Sequence, residues 1–436
     1  MSLPSLCCFL QSLAESRLRA THAALLDPCR RHFLPSINIH VIPNPTNCTT
    51  QFVTEPNVVN IMSSLLRSSF DAPPPPRPKP QPISESDESS SDSSAASVDT
   101  VRPNEHEQVA GPSHWTNYFD QELWLDKDLA DGATARYHAY ITPPTNPAKD
   151  PLFVCHHGAG SSGLSFAIFA KELRALLPNA GVLSLDARGH GSSILNATRQ
   201  EASPDYSLET LTTDALNILQ STQAHFTWPQ LPPLVFIGHS LGGAVVTNLT
   251  TVHGKLLAPT LIGYAVLDVV EGSALEALAH MKTYLAQRPS LFDSLSSAID
   301  WHTRTRTLRS AASAEVSVPS LLTQTPSGRF AWRTDLNSTA PWWEAWFAGM
   351  SARFLGGRGA KLLVLAGTDR LDKELMIGQM QGKFQLEVIP EAGHFVQEDV
   401  PARLASLAVE FYRRNDRSQL VLPPKVSDMI AKGMKV

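Results

Sequence analysis

The sequence has 436 residues, of which 42% are hydrophobic, and its formal net charge is −5 at pH 7. A chain of this size can bury a sizeable core, and it lacks the basic excess of nucleic-acid-binding proteins, so we expect no nucleic-acid partner. Four of the five cysteines precede residue 49, which excludes a disulfide framework for the remainder and indicates a reducing compartment, the cytoplasm with the nucleus as a second location. Neither a CxxC pair nor an HExxH motif occurs, so we predict no metal site and no cofactor.

The first 113 residues differ in composition from the rest. Residues 1–61 form an N-terminal extension of unknown structure, in which the apolar stretch Leu3–Leu10 is too short to span a bilayer and follows no basic residue. We therefore expect neither a secretory signal nor a membrane partner, and Met62 is an alternative start. Residues 62–113 hold a proline-rich stretch and an acidic serine run, which bury too little apolar surface to fold, so we predict a disordered arm.

The first segment that indicates chemistry is an apolar strand, Leu152–Cys155, followed by His156, His157, Gly158, Ala159 and Gly160. Small residues let a backbone NH approach a developing oxyanion, so we predict an oxyanion loop with the Ala159 amide as one donor. An ordinary glycine-rich turn is the alternative. The next strand, Gly181–Leu185, leads into a turn that contains Asp186 and Arg188, to which we assign a structural role.

The segment Leu234–Gly243, LVFIGHSLGG, begins with a third apolar strand and continues into a Gly-x-Ser-x-Gly turn centred on Ser240. This arrangement is typical of a serine nucleophile on a strained turn between a strand and a helix. The flanking Gly238 and Gly242 leave room for the crowded backbone. We therefore predict a serine hydrolase with Ser240 as the nucleophile and the Leu241 amide as the second oxyanion donor.

The general base and its partner are expected further along the chain. His394 follows the apolar strand of FQLEVIPEAGHF, and the order serine, acid, histidine is the one that hydrolases of this kind use. A neutral imidazole can take the Ser240 proton near pH 7. Two strand ends offer an acid, Asp268 in IGYAVLDVV and Asp369 in KLLVLAGTDR, and these segments alone leave both open.

From about Asn117 onward, strand-like and helix-like segments alternate, which predicts a mostly parallel sheet with helices on both faces. The oxyanion loop and the Ser240 turn resemble those of the α/β-hydrolases, and this resemblance implies the α/β-hydrolase fold. Residues of about 272–360 interrupt this rhythm between the sixth and seventh predicted strands and are interpreted as a helical cap. The cap contains Trp301, Trp332, Trp342, Trp343 and Trp346. These tryptophans are expected to pack the core of the cap, with contact to a substrate as the alternative.

The chain resembles the protein phosphatase methylesterase family over nearly all of its length after the first hundred residues. The resemblance rests on the oxyanion loop, on GHSLGG and on nine further segments, namely HWTNYF at 114–119, DVVEG at 268–272, Arg288-Pro289, AIDW at 298–301, WRTDL at 332–336, WEAWF at 343–347, DRLDK at 369–373, IGQMQGK at 377–383 and Glu398-Asp399. It implies that the triad acid is Asp268. Ala159 and Leu241 depart from the commonest residues of the family, but neither change removes a backbone NH.

The resemblance also implies a function and a partner. The expected function is serine carboxylesterase activity on the C-terminal leucine methyl ester of the type 2A protein phosphatase catalytic subunit, by a Ser240, His394 and Asp268 triad through an acyl-enzyme. The alternatives are a phosphatase-binding regulator and a small-molecule esterase or lipase of the same fold. The catalytic domain is expected to span residues 114–415, followed by a C-terminal tail at 416–436.

Overall fold

The computed structural model describes residues 114–129, 134–196, 204–367 and 371–418. The predicted N-terminal extension (1–61), the predicted disordered arm (62–113), most of the C-terminal tail and Asp369 lie outside the described residues. The described strands are β1 (Gln121–Asp128), β2 (Thr134–Thr142), β3 (Leu152–His156), β4 (Gly181–Leu185), β5 (Ile194–Asn196), β6 (Leu234–His239), β7 (Leu261–Leu267), β8 (Leu291–Phe292), β9 (Leu322–Gln324), β10 (Phe330–Trp332), β11 (Ala360–Leu365) and β12 (Gln385–Val388).

The helices fill most of the connections between these strands. In the described residues they are α1 (Ala167–Leu176), α2 (Leu208–His225), α3 (Leu241–Val252), α4 (Gly254–Leu257), α5 (Glu271–Gln287), α6 (Leu295–Arg304), α7 (Ala311–Ser317), α8 (Trp343–Phe347), α9 (Met350–Gly356), α10 (Lys373–Met380), α11 (Val396–Asp399) and α12 (Pro401–Asn415). Among the described helices, none is both long and apolar enough to cross a membrane.

One large sheet organises the described residues. Its strand order is β1-β2-β4-β3-β6-β7-β11-β12, with β5 paired to β2. The pairs β1·β2 and β2·β4 are antiparallel. The five pairs that follow in this spatial order, from β4·β3 to β11·β12, are parallel. Parallel strands leave their carboxyl ends at one edge, where ligands and catalytic residues collect in open α/β sheets.

Buried side chains alternate between the two faces of this sheet. In β3, Leu152 and Val154 belong to one core cluster, which includes α3, whereas Phe153 and Cys155 belong to the cluster that includes α1 and α12. The central strands β3 and β6 are buried at every position, as is usual when helices cover both faces of a parallel sheet. The predicted α/β-hydrolase fold is confirmed.

The segment between β7 and β11 forms the cap. It contains α5 to α9 and, in addition, a three-stranded sheet of order β8-β10-β9 that was not predicted. The short β5 was not predicted either. Because β5 adds one strand to the count, the strand before the cap is the seventh along the chain, β7, and it is the same strand that was predicted as the sixth. The cap has its own small apolar core, made of Phe292, Ala298, Leu308, Ala314, Val318 and Leu322.

Candidate active site

Ser240 lies in a tight turn between β6 and α3. Its φ of 51° and ψ of −119° are rare for a residue other than glycine, and its amide donates to Leu267 O over 3.1 Å. A Cβ at Gly238 would lie 2.2 Å from the carbonyl oxygen of Gly242, and one at Gly242 would lie 2.1 Å from His156 O. Glycine is therefore required on both sides of the serine, which gives the Gly-x-Ser-x-Gly pattern its physical basis.

His394 and Asp268 form a hydrogen-bonded pair. The imidazole Nδ1 donates to Asp268 Oδ2 over 2.9 Å, and Asp268 Oδ1 accepts from the Ala366 amide over 2.9 Å. The Asp268 side chain is fully buried, whereas that of His394 is 47% exposed and lines the same cavity as Ser240. Because a carboxylate oxygen accepts, this bond assigns the ring proton to Nδ1 and leaves Nε2 as an acceptor. The predicted base thus lies beside one of the two candidate acids, while Asp369 lies outside the described residues.

His239, the residue before the nucleophile, holds the histidine loop in place. Its Nε2 donates to the backbone carbonyl of His394 over 2.8 Å, and the two rings lie 4.7 Å apart between centroids. Burial lowers the pKa of His239 to about 3, so this ring is neutral at pH 7 and acts as a donor to the loop. The sequence analysis did not single out His239, because only the folded chain brings it to a loop 155 residues away.

The predicted oxyanion donors border the same cavity. Leu241 is the first residue of α3, so its amide has no acceptor within the helix, and Ala159 lies in the loop after β3. A Cβ at Gly158 would lie 3.1 Å from Ser240 Cβ and 2.9 Å from His239 Nδ1, which shows how closely this loop approaches the nucleophile. The structure therefore brings Ala159 and Leu241 together with Ser240 and His394 around one space.

The two histidines of the oxyanion loop have structural contacts. His157 donates from Nδ1 to Gly158 O over 2.7 Å and accepts from the Ala187 amide at Nε2 over 3.0 Å. His156 donates to the carbonyl of His157 over 2.9 Å. Burial lowers the pKa of His156 to about 4 and that of His157 well below its ordinary value, so both rings are neutral. They fix the loop against the turn after β4.

Asp186 and Arg188 in that turn also have structural contacts. Asp186 is buried and accepts from the amides of Gly163 and Ser192, each over 2.7 Å, as well as from the ring of His138. Arg188 forms a two-pronged ion pair with Asp214, with Nε to Oδ2 at 2.6 Å and Nη2 to Oδ1 at 2.9 Å. Neither side chain lines the cavity that contains Ser240.

The cavity over Ser240 has a volume of about 410 Å³. The sheet edge supplies its floor, through residues such as Ser240, Leu241 and His394, and the cap supplies most of its walls. The apolar cap residues that line it are Leu278, Met281, Trp301, Leu308, Leu321, Trp332, Leu336, Trp343, Trp346 and Phe347. A serine beside a histidine and a carboxylate, under an apolar roof, is an arrangement suited to cleavage of an ester with an apolar group.

Comparison with known proteins identifies the family. Residues 153–407 match the model of the alpha/beta hydrolase family. Protein phosphatase methylesterase 1 of Emericella nidulans is 56% identical over 349 residues, which cover 76% of this chain and 84% of that protein. The chain belongs to the protein phosphatase methylesterase family. It is thus an esterase, and the family resemblance predicted from its motifs is confirmed.

A more distant methylesterase agrees with this assignment, and a solved structure agrees with the fold. Protein phosphatase methylesterase 1 of Schizosaccharomyces pombe is 45% identical over 315 residues, covering 72% of this chain and 88% of that protein. The crystal structure of E-2-(acetamidomethylene)succinate hydrolase aligns with a TM-score of 0.53 at 13% identity, over 67% of this chain and 100% of that one. At this identity the structural likeness concerns the fold alone.

Most of the tryptophans in the esterase's cap lie in the wall of the cavity, and two of these are also buried in the core. Trp343 and Trp346 are buried, and the Trp346 indole donates to Tyr206 O over 2.7 Å, yet both also line the cavity. Trp301 and Trp332 line it as well and lie 6.0 Å apart between centroids. Trp342 contacts Tyr206 and does not line the cavity.

A buried carboxyl group, Glu398, also lines the cavity of the esterase. Its oxygens accept from Ser165 Oγ over 2.7 Å and from Ser317 Oγ over 2.6 Å. Burial raises the pKa of Glu398 to about 8, so the group is mainly protonated at pH 7. The sequence analysis gave no role to Glu398, because the two serines lie 233 and 81 residues away along the chain.

Asp399 joins the cap to the loop that carries His394. Asp399 Oδ2 accepts from the Gly393 amide and Oδ1 from the Arg309 amide, both over 2.7 Å. The Arg309 guanidinium donates to the carbonyl of Glu391 over 2.5 Å. These bonds fix the residue before His394 to the segment that leads into α7.

Proposed function

We propose that this esterase removes the methyl group from the C-terminal leucine methyl ester of the type 2A protein phosphatase catalytic subunit. The curated relatives are named protein phosphatase methylesterase 1, which supports a phosphatase as the substrate. The single observation that carries the chemistry is the hydrogen bond from His394 to Asp268, because His394 lines the same cavity as Ser240.

In the proposed acylation step, Ser240 Oγ attacks the ester carbonyl carbon while His394 Nε2 takes the serine proton. The amides of Ala159 and Leu241 stabilise the negative charge on the carbonyl oxygen of the tetrahedral intermediate. His394 then returns the proton to the methoxy oxygen, so that methanol leaves and the leucine acyl group remains on Ser240. Asp268 holds the imidazole in the required tautomer and stabilises the imidazolium.

In the proposed deacylation step, a water molecule attacks the acyl-enzyme and His394 takes its proton. Collapse of the second tetrahedral intermediate returns that proton to Ser240 Oγ and releases the peptide with a free C-terminal carboxylate. The products are therefore one methanol, one carboxylate and one proton for each ester and each water consumed.

The walls of the cavity support leucine as the residue that is recognised. Leu278, Met281 and Leu336 provide aliphatic surface, and the tryptophan rings provide large rigid contact area. An apolar side chain placed there leaves water, which favours binding. The free buried thiol of Cys155 fits a reducing compartment, so we propose the cytoplasm, with the nucleus as a second location.

Incubation with carboxymethylated phosphatase catalytic subunit, with methanol release followed over time, tests this function. Long-chain esters serve as the comparison substrates. We expect rapid demethylation of the protein and poor turnover of the long-chain esters. Fast hydrolysis of long-chain esters without demethylation would favour a lipase, and binding of the phosphatase without demethylation would favour a regulator that acts by binding.

A further inference from the structure

Arg288 is a cationic side chain in the cavity wall that has no anionic partner among the described residues. It follows the last turn of α5, and its guanidinium lies over the ring of Trp332 at 3.6 Å from the centroid. None of the ion pairs and side-chain hydrogen bonds of the described residues involves this guanidinium. Arg288 therefore lines the cavity, and its NH groups have no protein acceptor among the described residues.

The surroundings hold Arg288 in a fixed position. The Trp332 indole donates to Pro289 O over 2.7 Å, so the ring under the guanidinium also anchors the adjacent backbone. His302 lies against Trp332 and is neutral, because burial and the nearby Arg288 charge lower its pKa to about 4. Burial lowers the pKa of Arg288 as well, but a guanidinium remains charged at neutral pH.

The other charged groups of the cavity do not neutralise Arg288. Glu398 lines the same cavity, but its raised pKa of about 8 keeps it mainly protonated at pH 7. Arg306 is exposed at the cavity and adds a second positive charge. The cavity therefore combines apolar walls with a positive potential, which suits a ligand that is apolar at one point and anionic at another.

We propose that Arg288 is a specificity-determining residue that binds an anionic group on the substrate peptide, upstream of the esterified leucine. This proposal rests on the proposed function, because an esterified C-terminus has no charge and the anion must belong to another residue. The shared chemistry is an oxygen pair that accepts two guanidinium NH groups, from either the carboxylate of an acidic side chain or a phosphoryl group. Because Trp332 covers a face of the guanidinium, it does not use the NH groups that this contact requires.

The test uses short peptides that end in leucine methyl ester. One series carries glutamate, glutamine or phosphoserine in turn at each of the four positions before the leucine, and methanol release gives kcat/KM. Wild-type enzyme is expected to prefer glutamate over glutamine by about tenfold at one position, a typical effect for a hydrogen-bonded charge. A comparison of the kcat/KM values for the glutamate and phosphoserine peptides at that position shows whether the site prefers a carboxylate or a phosphoryl group.

Variants of Arg288, of Arg304 and of Arg306, the second cation at the cavity, assign the preference. In Arg288→Met, the kcat/KM for the acidic peptide divided by that for the neutral peptide is expected to fall to about one. Arg288→Lys is expected to retain part of this preference, because lysine keeps the positive charge but lacks the paired NH groups of the guanidinium. Arg304→Met is the matched control, because Arg304 lies in the same cap outside the cavity, and its ratio stays at the wild-type value. Labelling of Ser240 with a fluorophosphonate counts the folded sites in each preparation.

The proposal is overturned if wild-type enzyme shows no acidic preference at any position, if Arg288→Met keeps the preference, or if only Arg306→Met removes it. The proposed function fails separately, if the enzyme turns over p-nitrophenyl acetate but releases no methanol from the carboxymethylated phosphatase catalytic subunit. In that case, inhibition of p-nitrophenyl acetate turnover by the same peptides with free C-termini still tests Arg288. The acidic peptide must inhibit wild-type enzyme more strongly than the neutral one, and Arg288→Met must abolish the difference.

Discussion

The carboxyl edge of the central sheet and the cap contribute differently to this site. At the sheet edge the backbone fixes the reacting groups: Ser240 and Asp268 have φ values of 51° and 50°, and their amides donate to Leu267 O and Val364 O of neighbouring strands. In the cap, α5 has no fully buried residue, although Leu278 and Met281 line the cavity. In the proposed function, the sheet edge therefore provides the reacting groups, and the side chains of the cap select the ester.

The largest effect is expected for a substitution at the carboxyl edge of the sheet. Ser240→Ala removes the nucleophile, and we expect turnover of every ester to fall by about 10⁴-fold or more, because nucleophile, base and oxyanion donors act as a unit. Methanol release and p-nitrophenyl acetate turnover measure this loss. Ser406→Ala on α12, outside the cavity, is the control with wild-type rates. Retained demethylation in Ser240→Ala would refute the assignment of the nucleophile.

A change in the cap sharpens the comparison, because it should affect substrates unequally. Met281→Ala removes apolar contact from the cavity wall, and we expect kcat/KM for a leucine methyl ester to fall by about tenfold relative to that for an acetate ester. The half-exposed Met376 on α10, which is outside the cavity, provides the control Met376→Ala. Equal losses on both esters would show that the cap acts on the chemistry as well as on selection.

A smaller effect is expected where Glu398 joins the two regions. Its folded-state pKa of about 8 lies above its ordinary value of 4.5, so folding favours the protonated form. Stability from this group is therefore greatest below pH 4.5 and is lost as the pH rises to about 8. We expect Glu398→Gln, which cannot ionise, to melt like the wild type at pH 5 and several degrees higher at pH 9, since roughly 2–4 °C corresponds to 1 kcal/mol in a domain of this size.

Thermal melts of both proteins across this pH range provide the measurement. Glu410→Gln, on the exposed face of α12, is the control and should follow the wild type at every pH. A constant difference between wild type and Glu398→Gln would mean that the carboxyl group does not change its protonation on folding in this range.

Local sequence predicted the sheet edge because its constraints are local. The glycines around Ser240 are required by contacts within the turn and with the neighbouring loop, so they appear as a motif. The strands β3 and β6 are continuous apolar runs, which predict a parallel sheet covered on both faces. The acid was ambiguous because both Asp268 and Asp369 follow apolar strands, and residues alone do not give the distance from either to His394.

The cap and its contacts could not be predicted in the same detail. Its strands have only two or three residues each, too few to show an alternating pattern. Only the folded chain shows that two serines bind Glu398 and that Arg288 stacks on Trp332 without an anionic partner among the described residues. His239 likewise gains its role from a carbonyl 155 residues away.

The comparison of Asp268→Asn with Asp369→Asn tests the central claim most directly, that Asp268 orients His394 for the chemistry at Ser240. Methanol release from the carboxymethylated phosphatase catalytic subunit is measured for both variants side by side, with folding checked by thermal melts. The account predicts a loss of about 10⁴-fold for Asp268→Asn, because an amide favours the wrong imidazole tautomer, and at most about tenfold for Asp369→Asn. An inactive Asp369→Asn beside a working Asp268→Asn would contradict it.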